Sequence, residues 1–202
     1  MKQLSKRRCT WAGDSDELYI AYHDLEWGVP TTDDQKLFEF IILESAQAGL
    51  SWRTVLHKRE GYRKAFKNFD PKKVAKMTAS DVARLLNDAS IIRNRLKIES
   101  AIKNARAFIE VQKEFGSFAN YMWSFTKGKI IQNKWKNDTQ IPAVTDLAVT
   151  IAKDLKKRGF SFLGPTVWYA HMQAVGMVND HTADCFRHAV LHKRKRVILK
   201  SA

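Results

Sequence analysis

Apolar residues recur along the chain at spacings of three and four rather than two, so the pattern predicts helices almost throughout. A first segment opens near Asp14, sets Leu18, Tyr22 and Leu25 on one side, and ends around Gly28-Val29-Pro30. The next begins with Thr32-Asp33-Asp34-Gln35, a capping-box pattern that satisfies orphan helix amides, and runs to Gly49. Ser51 is placed to cap a third, SWRTVLHKRE. Further helical stretches are expected at roughly 72–77, 80–88, 95–114 and 118–124. Thr145 starts another that reaches Arg158 before Gly159, and 165–175 and 181–191 complete the set. The only plausible strand is GKIIQNKW, where Gly128 and Asn133 would allow a hairpin. The reading is all-α, without repeats or low-complexity linkers, with the N- and C-terminal segments packed together as one lobe around a middle lobe.

One position disturbs this pattern. Leu37, Phe40, Ile41 and Ala48 line one stripe of the second segment, and Glu44 falls on the same stripe. A carboxylate there must be paired, protonated or functional, because desolvating an unpaired charge costs several kcal/mol. A salt bridge with a nearby Arg or Lys is the structural alternative. The segment ends in Gln47-Ala48-Gly49-Leu50-Ser51-Trp52, an apolar tip with a Trp, and Trp11, Tyr19, Tyr22 and Trp27 supply more rings. Singly, such rings are usually core. A Glu among several of them is the chemistry of a pocket for a flat cationic ligand, since rings offer negative faces and the carboxylate a full charge.

A second constellation joins the two ends. His181 and Cys185 are separated by three residues, which on a helix would place them on one face a turn apart. Cys9 and His23 are the only other residues of these types before His57, and two Cys with two His make a complete tetrahedral zinc set. Buried free thiols and exposed histidines are the alternative. With four protein ligands no position is left for water, so such a zinc would be structural and a zinc hydrolase is disfavoured.

Charge changes the picture further. The 202 residues carry 35 Lys+Arg against 21 Asp+Glu, a formal charge of +14, of which nine lie in two short basic tails, 1–8 and 192–202, flanking a helical domain at 9–191. The domain itself is thus only about +5. An apolar content of 45% excludes a mainly disordered basic protein, and no apolar run is long enough to span a membrane. The N-terminus lacks the apolar region of a signal peptide, so a cytoplasmic location is expected, and two cysteines there argue against a disulfide framework. The excess positive charge points to nucleic acid as partner.

The strings CTW (9–11), YIAYHDLEWGVP (19–30), KLFEFIILESAQAGLSW (36–52), KRGFSFLGPTVWYAHMQAVG (157–176) and VNDHTADC (178–185) closely resemble 3-methyladenine DNA glycosylase I. DASIIRNRLKIESAIKNARAF (88–108) is similar too, so the resemblance covers about residues 8–187. It implies an all-α helix-hairpin-helix glycosylase fold, a monomer, and base-excision repair of double-stranded alkylated DNA with free 3-methyladenine as product. By position, the family's structural zinc falls on Cys9, His23, His181 and Cys185. Glu44 and Tyr22 fall where the base is hydrogen-bonded, Trp52 and Tyr22 where it is stacked, and Trp11 where the pocket is closed, with Tyr19 beside it. Leu50, next to Gly49, resembles the wedge that fills the gap left by an extruded nucleotide.

In the wider superfamily the hairpin reads L-P-G-x-G. FSFLG (160–164) looks like a divergent version with Phe162 in place of the first glycine, and Gly164 would still let amides approach a phosphate at the next helix start. Thr166 lies near where bifunctional relatives carry a Schiff-base lysine, so strand cleavage is not expected. Asn179 stands where relatives place a catalytic Asp, with Asp180 adjacent, and Ala170 and His171 depart from the family pattern near the pocket floor. The competing class is a non-catalytic, zinc-stabilised DNA-binding module, which leaves Glu44 unexplained.

Overall fold

The computed structural model describes residues 6–199, and Lys2 and Lys200 of the basic tails lie outside this range. Eleven helices carry the described fold: α1 (Glu17–Leu25), α2 (Asp34–Gln47), α3 (Trp52–His57), α4 (Arg59–Ala65), α5 (Pro71–Val74), α6 (Ala79–Leu86), α7 (Arg95–Phe115), α8 (Phe118–Ser124), α9 (Asp146–Lys157), α10 (Pro165–Ala174) and α11 (Phe186–His192). No helix of the described chain is long and apolar enough to cross a membrane.

α2 forms the axis. Residues 37–46 are all buried, so this helix is enclosed on every side, by α3, α7, α8 and α10. Its start is capped by Asp33, whose carboxylate accepts from the amide of Gln35; the capping box through Thr32 does not form, because an acid one residue later reaches the same free amides and suits the positive helix end. Asp34 instead accepts from the amides of Phe118 and Ala119 and so caps α8 from across the core. At its other end the Lys97 ammonium donates to the carbonyls of Ala46 and Ala48, 2.8 and 2.6 Å away. That contact fixes where the chain leaves α2 and turns through Gly49, which takes φ +78°. Ser51 caps α3 as expected, accepting from the Thr54 amide, but the segment breaks at Lys58 into α3 and α4.

Three further local expectations are corrected. In α1 the buried side chains are Tyr22 and His23, while Leu18 and Leu25 lie 44% and 76% exposed, since the pocket and the Cys/His cluster, rather than an apolar stripe, set its orientation. The GKIIQNKW stretch makes no hairpin of its own. β1 (Ile131–Gln132) pairs in parallel with β2 (Val178–Asn179), and Ile130 and Val197 extend the contact to the C-terminal segment through Lys195 and Gly128. Finally, residues 181–185 are a turn rather than a helix, and Cys185 is the N-cap of α11.

The flanking basic segments are partly engaged. Arg8 forms a two-pronged ion pair with Asp24, Arg7 pairs with Asp184 at 2.8 Å, and Arg196 bridges to Lys129 through the backbone. The buried apolar residues form one continuous cluster from Cys9 to Cys185. Gly176 shows how closely the ends of this core approach: at φ +73°, a Cβ there would lie 2.5 Å from the carbonyl carbon of Val29 and 2.7 Å from the oxygen of Gly28.

Candidate active site and metal cluster

A cavity of about 510 Å³ opens where α1, α2, α3 and α10 meet the 138–143 loop. Its walls include Trp11, Tyr19, Tyr22, Trp52 and Glu44, the five residues marked as the base pocket from sequence, so the fold brings all of them together. Tyr22 and Trp52 lie 5.3 Å apart, inclined at 46°; Trp11 packs edge-on against Tyr19 at 5.3 Å and Trp27 at 4.9 Å. Trp52 is held over Phe40 of α2, nearly parallel, and its buried indole nitrogen has no partner among the described residues.

Glu44 is 4% exposed, and burial alone pushes its carboxyl up to about 8 from an ordinary 4.5, with no ion pair or hydrogen bond opposing the shift. The salt-bridge alternative belongs to its neighbour. Glu39, equally buried on α2, meets Arg59 at 2.9 Å, Arg63 at 2.8 Å and Lys36 at 3.1 Å; burial pushes it up, but Arg59 and its companions hold it below the usual range. One helix thus carries an ion-paired structural carboxylate and, five residues on, one that faces the cavity without an ion pair or hydrogen bond among the described residues.

Several pocket residues were not marked from sequence. Asp138 accepts from the Trp11 amide at 3.1 Å and from the Thr10 hydroxyl, and so ties the turn bearing Trp11 to the loop. Tyr169 and Gln173 of α10 line the cavity, beside Thr166 and Ala170, which the sequence had already singled out. The spacing 166, 170, 173 is a helix stripe and would have revealed this wall. His171 lies behind it, fully buried, stacked on Trp168 at 4.4 Å with its Nε2 facing the Leu37 carbonyl; burial lowers it to about 4. Asn179 does not reach the cavity; its amide donates to Gln132 and to the His188 carbonyl. Asp180 is also outside it, saturated by four side-chain donors.

Gly49 and Leu50 sit on the α2–α3 turn, Gly49 lining the pocket and Leu50 39% exposed beside it. Gly164 caps α10, with Pro165 at its first turn, and borders a separate groove of about 660 Å³ flanked by Lys103, Lys153 and Lys156. Phe162, in the hairpin between α9 and α10, takes φ +59°, the left-handed conformation that glycine adopts freely.

Behind the aromatic wall, Cys9, His23, His181 and Cys185 converge with their ligand atoms within 4.8 Å of one another, each at most 2% exposed. Cys9 Sγ lies 3.5 Å from His181 Nδ1, and Cys185 Sγ lies 3.5 Å from both His181 Nδ1 and His23 Nε2. Ligand bonds of about 2.3 Å to sulfur and about 2.0 Å to nitrogen at tetrahedral angles require a sulfur–nitrogen edge of about 3.5 Å. The remaining ring nitrogens are oriented: His23 Nδ1 faces Asp24 at 2.8 Å, itself held by Arg8, and His181 Nε2 faces the Trp27 carbonyl at 3.1 Å. The donor set, spacing and supporting contacts fit a metal ion. Trp27 lies edge-on to His181 at 4.6 Å and to Trp11, so the cluster directly backs the pocket.

A family model described as methyladenine glycosylase matches residues 11–188, and the chain belongs to that family. More particularly, it is 51% identical over 178 residues to DNA-3-methyladenine glycosylase 1 of Escherichia coli, covering 88% of this chain and 95% of the relative. A crystal structure of a 3-methyladenine DNA glycosylase I superposes with a TM-score of 0.86 at 52% identity, covering 89% of this chain and 98% of that one. A variant 3-methyladenine DNA glycosylase I crystallised in complex with 3-methyladenine gives the same TM-score at 38% identity, covering 89% of this chain and 96% of that one.

Proposed function

We propose that this protein is a monofunctional DNA-3-methyladenine glycosylase acting on double-stranded alkylated DNA, and that Glu44 is its key pocket residue. The observation that carries this reading is an unpaired, buried carboxylate walled by rings. N3 methylation gives the purine a positive charge while it is attached to the sugar. An empty pocket holds Glu44 protonated near neutral pH; a cationic base supplies the charge that allows it to ionise and accept from the exocyclic amine. Neutral adenine offers no such compensation.

The target nucleotide is flipped into the cavity, where Trp52 and Tyr22 stack on it, each contributing about 1–3 kcal/mol. Tyr22 also hydrogen-bonds the base, Tyr19 flanks it and Trp11 closes over it. The C–N glycosidic bond breaks with its electron pair going to the base, which leaves neutral, and water adds to the anomeric carbon with loss of a proton. Little protonation of the leaving group is required. Leu50, at the exposed turn after Gly49, fills the gap in the duplex, and the Gly164–Thr166 start of α10 approaches a phosphate. With Thr166 in place of an amine nucleophile, the strand is left uncut.

Zinc at Cys9, His23, His181 and Cys185 is structural, tying the two ends of the chain together. On this reading the protein is a helix-hairpin-helix glycosylase, with the α9–α10 segment as its hairpin, and acts as a monomer. The test is release of free bases from methylated duplex DNA, resolved by chromatography. Appearance of 3-methyladenine without strand breaks supports the reading; binding without base release favours a non-catalytic zinc-stabilised module.

A further inference from the structure

Asp180 is 1% exposed and accepts four side-chain hydrogen bonds: from the Asn133 amide at 2.6 Å and the Trp135 indole at 2.8 Å on one oxygen, and from the Tyr169 hydroxyl at 2.6 Å and the Gln173 amide at 2.8 Å on the other. It lies outside the cavity, whereas Tyr169 and Gln173 line it. Both carboxyl oxygens of Asp180 face N–H or O–H donors, and an oxygen so placed is the acceptor. The nitrogen of the Gln173 amide must therefore face Asp180, because the reverse orientation would set oxygen against oxygen. That leaves the amide oxygen as the polar end available to the cavity, and among the described residues nothing donates to it. The Tyr169 proton is likewise committed to Asp180, so that hydroxyl brings no donor to this wall.

We infer that Gln173 is a specificity residue that presents an amide oxygen to the exocyclic amine of the flipped base, and that Asp180 is the positioning residue that fixes this orientation. The inference rests on the proposed glycosylase function and extends it. An exocyclic amine at purine position 6 has two N–H groups; Glu44 takes one and Gln173 the other. A purine with oxygen at that position, 3-methylguanine, sets two acceptors against each other and is rejected.

The experiment measures single-turnover release of 3-methyladenine and 3-methylguanine from methylated duplex DNA by the full-length parent and by Gln173→Leu and Gln173→Met. Loss of one hydrogen bond lowers 3-methyladenine release about tenfold. Release of 3-methylguanine stays level or rises, so the ratio narrows by at least that factor. Equal losses for both bases, or an unchanged ratio, overturn the role of Gln173. If neither variant unfolds cooperatively, Gln173 serves the fold and the inference also fails. Asp180→Asn can donate as well as accept, which frees Gln173 to turn, and it should narrow the same ratio; a folded variant with the parent ratio overturns the positioning role. A parent that releases no 3-methyladenine instead overturns the proposed function, which keeps the two failures distinct.

Discussion

Glu44→Gln is expected to stabilise the free protein at alkaline pH while impairing base excision. Burial raises the Glu44 carboxyl from 4.5 to about 8. Between those values the unfolded chain has released its proton and the folded chain retains it, so stability falls as pH rises through this window, by about 1.4 kcal/mol per unit. Below it both states are protonated and the effect vanishes; across it the loss approaches about 5 kcal/mol, reduced by any solvent that enters the pocket. The neutral amide of the variant removes this dependence while keeping nearly the same shape. For a chain of this size 1 kcal/mol corresponds to about 2–4 °C, so the Tm difference between variant and parent should grow by about 10 °C from about pH 5 to about pH 8. Calorimetry at matched ionic strength measures it, and contributions from the Cys/His cluster cancel in the difference. A Tm difference that stays flat over this range refutes the assignment of an unpaired, protonated Glu44. In the excision assay the same variant is deprived of a charge-assisted hydrogen bond of about 2–3 kcal/mol, or roughly 30- to 150-fold in single-turnover rate.

In the parent, kcat/KM for excision should rise with pH toward about 8, since the free enzyme must lose the Glu44 proton to meet a cationic base; a flat profile from about pH 6 to about pH 9 argues against this. Cys185→Ser should bind metal substoichiometrically and unfold at a lower temperature, and a chelator should lower the parent's Tm without further lowering the variant's, as metal analysis and calorimetry can establish. Gly176→Ala should cost more than about 3 kcal/mol in urea unfolding, because its Cβ collides with rigid backbone and its φ is left-handed. Neutralising Lys193, Arg194 and Lys195 to Gln should flatten the salt dependence of DNA binding by up to about 0.9 in log–log slope for each phosphate these side chains neutralise in the parent, with base excision at low salt nearly unchanged.

The long helices were legible because their burial follows directly from local periodicity, as α7 and α9 show. The Cys/His cluster was legible by residue type, although the expected helical link between His181 and Cys185 is a turn, with Cys185 at the N-cap of α11. Asp138 carried no local signal: its importance arises from Thr10 and Trp11, more than a hundred residues away. The parallel pairing of β1 with β2 escaped for the same reason, since two-residue strands have no pattern apart from their partners. Gln173 escaped because the direction of an amide is decided by what it faces, and Asp180 becomes its partner only in the folded chain.

The convergence of Cys9 and Cys185 on one cluster also sets an order of events during synthesis. The second thiol is made 176 residues after the first, roughly 10–35 s later at ordinary translation rates. Trp11 and Tyr22 emerge from the ribosome early, Tyr169 and Gln173 late. A chain interrupted before Tyr169 therefore lacks two of the four residues of the Cys/His cluster and the Tyr169–Gln173 wall of the pocket.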